Sequence, residues 1–150
     1  MTKIQTVLFT GKTHTRPSRR EGGPHAGETR LDIDLSTPND ENSRYAYEAV
    51  DPHPTAEQLF AGAWSACYFA AIEAVAKQAN VPLPDDVSIN LEVDVGTAGK
   101  AYFLQARLNV GLPGMARDVA EALAHGAHEI CPYSKATRGN IHVELNVLTA

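Results

Sequence analysis

Two cysteines, Cys67 and Cys131, are the residues of this sequence with the most distinctive chemistry. Two thiols can form a redox couple, in which one thiolate attacks an oxidant and the second thiol closes a disulfide. A reducing compartment disfavours structural disulfides, so two cysteines there are either idle core residues or a working redox pair. Composition alone favours the idle interpretation.

The surroundings of the two cysteines add a requirement to the redox interpretation. Cys67 lies on an apolar helical stripe with Phe60, Trp64 and Ala71, and an isolated cysteine in such a place is usually inert. Cys131 is expected at a helix C-terminus, where the helix dipole raises the pKa of a thiol. Neither thiol is therefore activated by its own helix. If Cys67 reacts as a thiolate, a cation must come from elsewhere, and the arginine-rich stretch 12–30 is the obvious source.

Two other constellations are weaker. His125, His128 and Cys131 recur every third residue near a helix end, but helical rotation spreads them over about 120°. That is too wide for a shared metal unless Cys131 has left the helix, so we interpret the histidines as surface residues. Ser65 lacks the second glycine of a nucleophile elbow, which argues against a hydrolase.

The elements that must position the cysteines can be read from apolar periodicity. Thr55 and Gln58 have the spacing of a capping box, and an apolar helix is predicted from there to about residue 78. A second helix is predicted over about 115–130, ending at Cys131 because Pro132 follows. Strands are predicted at 3–10, 31–35, 87–95, 101–110 and 141–147, with a hairpin at Gly96–Gly99 and a loop over 11–30. This order predicts an α+β domain.

Length and charge narrow the classes of protein. A chain of 150 residues with 43% hydrophobic residues predicts one domain, 1–150. Its net charge of −5 argues against binding to nucleic acid. The basic stretch 12–30 is typical of a solvated loop. The longest uncharged run, Gln58 to Ile72, is too short to cross a bilayer. The first residues contain no export signal, so we expect a cytoplasmic protein with no membrane partner.

Two sequence motifs resemble the signatures of the organic hydroperoxide resistance proteins of the OsmC-like superfamily. The first is Pro54-Thr-Ala-Glu-Gln-Leu-Phe-Ala, which continues through Ala66-Cys67. The second is Cys131-Pro-Tyr-Ser-Lys-Ala-Thr-Arg-Gly-Asn140. Residues 31–38 and the Leu-Pro-Gly at 112–114 also fit, so the resemblance covers nearly the whole chain.

The resemblance implies an intertwined α+β homodimer, with antiparallel sheets around a long buried central helix and active sites at the subunit interface. It implies that Cys67 attacks the peroxide and Cys131 resolves the product, with Glu57 and an arginine beside them. In the family pattern the arginine is followed by an acidic residue and a glycine, which matches Arg20, Glu21 and Gly22. Counting residues from the first predicted strand favours Arg19 instead.

The resemblance further implies a peroxidase that reduces organic hydroperoxides to alcohols and is itself reduced by a dithiol, in this family a lipoylated protein. No cofactor is needed for such chemistry. Two other functions remain open: a redox sensor that uses the same cysteine pair without turnover, and a small-ligand or metal-binding module with inert cysteines.

The place of Glu57 suggests that the dimer completes the site. Glu57 precedes Cys67 by ten residues, which is about 15 Å along a helix. The smallest-residue stretch of the helix, 61–63, lies midway between them. An antiparallel crossing of two copies there would bring each Glu57 level with Cys67 of the partner subunit. The alternative is that Glu57 caps its own helix, where its negative charge suits the dipole at the N-terminus.

Overall fold

The computed structural model describes residues 1–18, 31–35 and 54–150. In chain order its elements are β1 (Thr6–Pro17), β2 (Leu31–Leu35), α1 (Ala56–Ala79), β3 (Ser88–Ala98), β4 (Ala101–Gly111), α2 (Arg117–Ile130), α3 (Pro132–Thr137) and β5 (His142–Leu148). The helix α1 packs against β1, β3 and α2, and α2 also contacts β5. These contacts confirm the predicted α+β class.

The described strands form one sheet in the order β2-β1-β3-β4-β5. Four strands pair antiparallel, as expected, but β5 runs parallel to β4. The parallel pair arises because the chain leaves β4, crosses one face of the sheet through α2 and α3, and returns in the same direction. The hairpin between β3 and β4 is tighter than predicted: pairing continues to Ala98 and Ala101, and Gly99 turns the chain with a φ of +59°.

The first strand is longer than the sequence pattern predicts, because β1 continues through residues expected in a loop. Thr13 and Thr15 are buried on the side of the sheet that faces α1. On the opposite side Lys12 pairs with Glu92 at 3.5 Å, and Arg16 pairs with Asp34 at 2.8 Å. Cross-strand ion pairs thus hold the first part of the basic stretch in the sheet.

The helix α1 has both of its ends fixed by specific caps. The predicted capping box is present: the Thr55 hydroxyl accepts from the Gln58 backbone N–H, and the Gln58 side chain accepts from the Thr55 N–H. Asn80, in the left-handed conformation at φ 55°, ends the helix. By length and composition α1 could span a membrane, but half of its most apolar window is buried inside the fold, as in the core helix of a globular domain.

Gly11 lets the start of α1 lie directly on β1. A Cβ atom at this position would come within 2.6 Å of the Gln58 backbone nitrogen and 2.7 Å of Glu57. Backbone atoms cannot yield at such distances, so only glycine fits here. This contact sets how closely α1 packs on the sheet. It therefore also sets how deeply each residue further along the helix is buried.

The turn after α2 differs from the sequence prediction. The helix ends before Cys131, as expected, but a second short helix, α3, begins at once with Pro132 in its first position. Proline cannot continue a helix, yet its fixed φ suits the first turn of a new one. Cys131 is therefore the joint between two helices.

Candidate active site

The structure brings the two cysteines together. Cys67 lies on α1, partly buried, and Cys131 lies fully buried at the joint between α2 and α3. The Cys131 thiol points at the Cys67 sulfur, and the two Sγ atoms are 3.5 Å apart. Both are free thiols, so this is a reduced pair that needs to close by only about 1.5 Å to reach the length of a disulfide bond.

The backbone of α3 takes part in the site. Burial raises the pKa of the Cys67 thiol, and the neighbouring Cys131 thiol adds to the rise. A hydrogen bond from the backbone of Tyr133 acts in the opposite direction and favours the thiolate. No lysine or arginine of the described residues contributes to this pKa. The described part of the chain thus offers Cys67 one backbone donor and no cation.

Arg20 and Arg19, the two candidates for that cation, lie outside the described residues. The described arginines are all engaged with carboxylates elsewhere: Arg16 with Asp34, Arg107 with Glu92 and Asp94, Arg117 with Glu121, and Arg138 with Glu129.

Glu57 lies in the first turn of α1, partly buried against Gly11 of β1. It is ten residues before Cys67 on the same helix and makes no ion pair within residues 1–18, 31–35 and 54–150. The structure therefore brings together Cys67 and Cys131 but not Glu57.

One side of α1 is an exposed apolar stripe that passes Cys67. Leu59 is 55% exposed, and Ala63, Ala70 and Ala74 follow it at helical spacing, also exposed. Gly62 is not part of this stripe, because it is buried towards β2: a Cβ atom at this position would lie 3.6 Å from the side chains of Ile33 and Leu35. Of the stretch 61–63, where a crossing of two helices is expected, Ala61 and Gly62 are buried and Ala63 is exposed on the stripe. The crossing itself stays a prediction.

The histidines near Cys131 do not join it in a metal site. No group of three or more His, Cys, Asp or Glu residues that could hold a metal occurs in the described ranges. Cys131 has left the helix, as a shared site would require, but its thiol is directed at Cys67.

Sequence reasoning missed three groups around the thiols. The Tyr133 backbone leaves no signature in a sequence. Trp64 and Tyr68 could have been found, because buried indole and phenol groups need polar partners and these two flank Cys67 on α1. Both are fully buried, and their partners lie on the two helices that meet at Cys131.

Comparison with known proteins agrees with this fold. The family model described as OsmC-like protein matches residues 48–146. The organic hydroperoxide resistance protein of Xanthomonas axonopodis pv. citri is 37% identical over 98% of this chain and 99% of its own length. OhrA, an organic hydroperoxide resistance protein of Bacillus subtilis, is 35% identical over 93% of this chain and 96% of its own length.

Solved structures give the same result. A Legionella pneumophila organic hydroperoxide resistance protein is 30% identical, covers 99% of both chains and has a TM-score of 0.63. OhrB of Bacillus subtilis is 31% identical over 93% of this chain and 98% of its own, with a TM-score of 0.60. The chain belongs to the OsmC-like family, in its branch of organic hydroperoxide resistance proteins.

Proposed function

We propose that the protein is a thiol-dependent peroxidase that reduces organic hydroperoxides to alcohols. The names of its relatives support a role in peroxide detoxification. The observation that carries the proposal is the 3.5 Å approach of two free thiols, one fully buried and one partly open. Residues 1–150 would act as one domain in the cytoplasm.

The more accessible cysteine is the attacking one. The Cys67 thiolate attacks the terminal oxygen of ROOH, the O–O bond breaks, and the departing alkoxide takes a proton to give ROH. Cys67 retains one oxygen as a sulfenic acid. The Tyr133 backbone helps to hold the thiolate before the attack.

The buried cysteine completes the oxidative half of the cycle. The Cys131 thiol attacks the Cys67 sulfenic acid, an S–S bond forms, and the sulfenic hydroxyl leaves as water with the Cys131 proton. An ordinary thiol is adequate for this step because the partner sulfur is already electrophilic. The disulfide is then reduced by an external dithiol, which leaves as its own disulfide. By family resemblance this reductant is a lipoylated protein.

A cation from the segment 19–30 would complete the activation of Cys67. Burial raises the pKa of this thiol, and the described arginines are occupied elsewhere. Arg20, or Arg19 if the count from the first strand is the correct one, would stabilise the thiolate and then the charge on the departing alkoxide.

The exposed stripe on α1 supports both a homodimer and an apolar substrate. A second copy packed along the stripe would bury Leu59 and the alanines and would surround Cys67 with apolar side chains. In such a pocket an alkyl or lipid hydroperoxide gains about 0.8 kcal/mol for each buried CH₂ group, a gain that hydrogen peroxide cannot have.

A peroxidase assay tests the proposal. The purified protein is given cumene hydroperoxide or hydrogen peroxide, with dihydrolipoamide or a simple dithiol as reductant, and alcohol formation is followed. We expect rapid turnover with cumene hydroperoxide, slower turnover with hydrogen peroxide and none in Cys67→Ser.

Two results would decide against the proposal. Disulfide formation without sustained turnover, even with excess dithiol, would favour the redox sensor. Failure of either cysteine to oxidise would favour a binding module with inert thiols.

A further inference from the structure

Cys131, at the joint between α2 and α3, makes a backbone hydrogen bond to the helix on either side. The Cys131 N–H donates to the Ala127 carbonyl at 2.9 Å, and the Cys131 carbonyl accepts from Lys135 at 3.0 Å. Its backbone angles, φ −59° and ψ 122°, are not helical. A single non-helical residue between two helices allows them to swing about it. On the exposed side Arg138 bridges the joint, donating to the His128 carbonyl at 2.9 Å and pairing with Glu129 at 3.3 Å. The buried side, where Cys131 lies, needs support of its own.

That support comes from two side chains of α1. The Tyr68 hydroxyl donates to the Ala124 carbonyl of α2 at 2.6 Å, and the Trp64 indole N–H donates to the Ser134 hydroxyl of α3 at 3.1 Å. Trp64, Tyr68 and Ser134 are all fully buried. The two bonds therefore reach one helix on each side of the joint.

The two side chains also flank the other thiol. Trp64 precedes Cys67 by three residues and Tyr68 follows it by one, so all three lie on neighbouring turns of α1. Burial, with the nearby Cys131, raises the pKa of Tyr68 far above its usual range. The hydroxyl therefore stays protonated and remains a donor at neutral pH.

We propose that Trp64 and Tyr68 are positioning residues for Cys131: their hydrogen bonds clamp the α2–α3 joint to α1 and hold the two sulfur atoms close enough for rapid disulfide closure. This role rests on the proposed peroxidase cycle and deepens its second step. The clamp touches neither the peroxide nor the Cys67 sulfur.

The clamp matters because the Cys67 sulfenic acid has two fates. Attack by Cys131 gives the disulfide and water. Attack by the sulfenate on a second hydroperoxide gives an irreversible sulfinic acid and a second alcohol. The ratio of disulfide to sulfinic acid depends on how often the Cys131 sulfur is close enough to attack the Cys67 sulfenic acid. Loosening the joint should slow closure by a larger factor than the first oxidation.

Closure can be measured without any peroxide. An aromatic disulfide such as dithiobis(nitrobenzoate) reacts with the Cys67 thiolate to give a mixed disulfide and one coloured aryl thiolate. Cys131 then displaces the second aryl thiolate, forms the Cys67–Cys131 disulfide and releases its proton. The first burst of colour reports on Cys67 and the second on closure, so the clamp can be tested even if the peroxidase proposal fails.

Two variants each remove one bond of the clamp. Tyr68→Phe keeps the ring and loses the hydroxyl, and Ser134→Ala removes the acceptor of Trp64. In each we expect a second phase slowed about tenfold, the effect of losing about one buried hydrogen bond. The first phase should slow less, and only as far as the Tyr133 backbone of α3 shifts away from the Cys67 thiolate. With excess cumene hydroperoxide and no reductant, mass spectrometry should show a larger sulfinic acid fraction than in the wild type.

Thr15→Val is the matched control. It removes another buried hydrogen bond of α1, that between the hydroxyls of Thr15 and Ser65 at 2.7 Å, on the side of the helix that faces β1. Ser65 keeps its bond to the Gly62 carbonyl. Thermal unfolding should show a comparable loss of stability, with closure at the wild-type rate.

Wild-type closure rates in both Tyr68→Phe and Ser134→Ala would overturn the clamp, as would equal slowing in Thr15→Val. A first phase slowed as much as the second would also count against it, because the bonds would then act through Cys67 and not through closure.

Discussion

The backbone of Tyr133 hydrogen bonds to the sulfur of Cys67, although Tyr133 belongs to the segment that carries the other cysteine. The bond exists because Pro132 starts a new helix directly after Cys131, and the free N–H groups of a first helical turn need partners. One short helix thus presents both a thiol and a backbone donor to Cys67.

The first prediction separates the roles of the two cysteines. Cys67→Ser should abolish peroxidase turnover, because the remaining thiol is fully buried. Cys131→Ser should allow one oxidation of Cys67 at the wild-type rate and then stop, with sulfenic and sulfinic acid accumulating. Stopped-flow oxidation followed by mass spectrometry measures both. Wild-type first-turnover oxidation in Cys67→Ser would contradict the assignment.

The second prediction concerns the cation. Arg20→Ala should raise the Cys67 pKa and slow its oxidation at neutral pH by about tenfold or more, since the thiolate is the nucleophile. Titration of the thiolate absorbance measures the pKa directly. Arg16→Ala is the control, because Arg16 is already paired with Asp34 on the far side of the sheet. If Arg19→Ala shows the loss and Arg20→Ala does not, Arg19 is the activating residue.

The third prediction concerns stability. Asp94 is almost fully buried on the outer side of the sheet, where Arg107 binds both of its oxygens at 2.7 and 2.9 Å. Burial alone would raise the pKa of Asp94, but hydrogen bonds from Arg107, Thr10 and Gln105 outweigh it and the pKa is lowered. A carboxylate with a lowered folded-state pKa stabilises the fold above its unfolded pKa of about 3.9, and this contribution is lost as the pH falls through the folded value.

Asp94→Asn should therefore lower the free energy of unfolding by about 2 kcal/mol at neutral pH. The difference from wild type should shrink under acid conditions, where the wild-type carboxyl is protonated as well. Urea unfolding at a series of pH values measures this. Asp34→Asn removes an exposed ion pair and should cost less than about 0.5 kcal/mol. If the stability difference between wild type and Asp94→Asn grows as the pH falls, the pKa of Asp94 is not lowered in the folded protein.

These results indicate what the sequence could and could not predict. The capping box of Thr55 and the strands β3 and β4 followed from local pattern, because short-range chemistry determines them. The length of β1 did not, since its glycine and polar residues resemble a loop until Gly11 is seen to receive α1. The helix α3 was missed because a proline that ends one helix can also start another. The pairing of the cysteines was expected only from family resemblance, because contacts between distant segments depend on tertiary packing.

The last prediction is that the dimer completes the active site through Glu57. This residue is about 15 Å along α1 from Cys67, too far to brace an arginine held at the Cys67 of its own chain. The exposed alanine stripe offers the surface along which a second α1 could approach closely and in the opposite direction. In that arrangement Glu57 of one protomer would hold the arginine beside Cys67 of the partner subunit by a bidentate ion pair.

Subunit mixing tests this arrangement with two inactive variants, Glu57→Ala and Cys67→Ser. A heterodimer contains one complete site, formed by the intact Cys67 of the first variant and the intact Glu57 of the second. Random exchange should therefore restore roughly a quarter of wild-type activity. Mixing Glu57→Ala with the double variant Glu57→Ala/Cys67→Ser should restore none, because no chain then supplies the glutamate. If the first mixture exchanges subunits and stays inactive, Glu57 acts within its own chain, where its charge in the first turn of α1 suits the helix dipole.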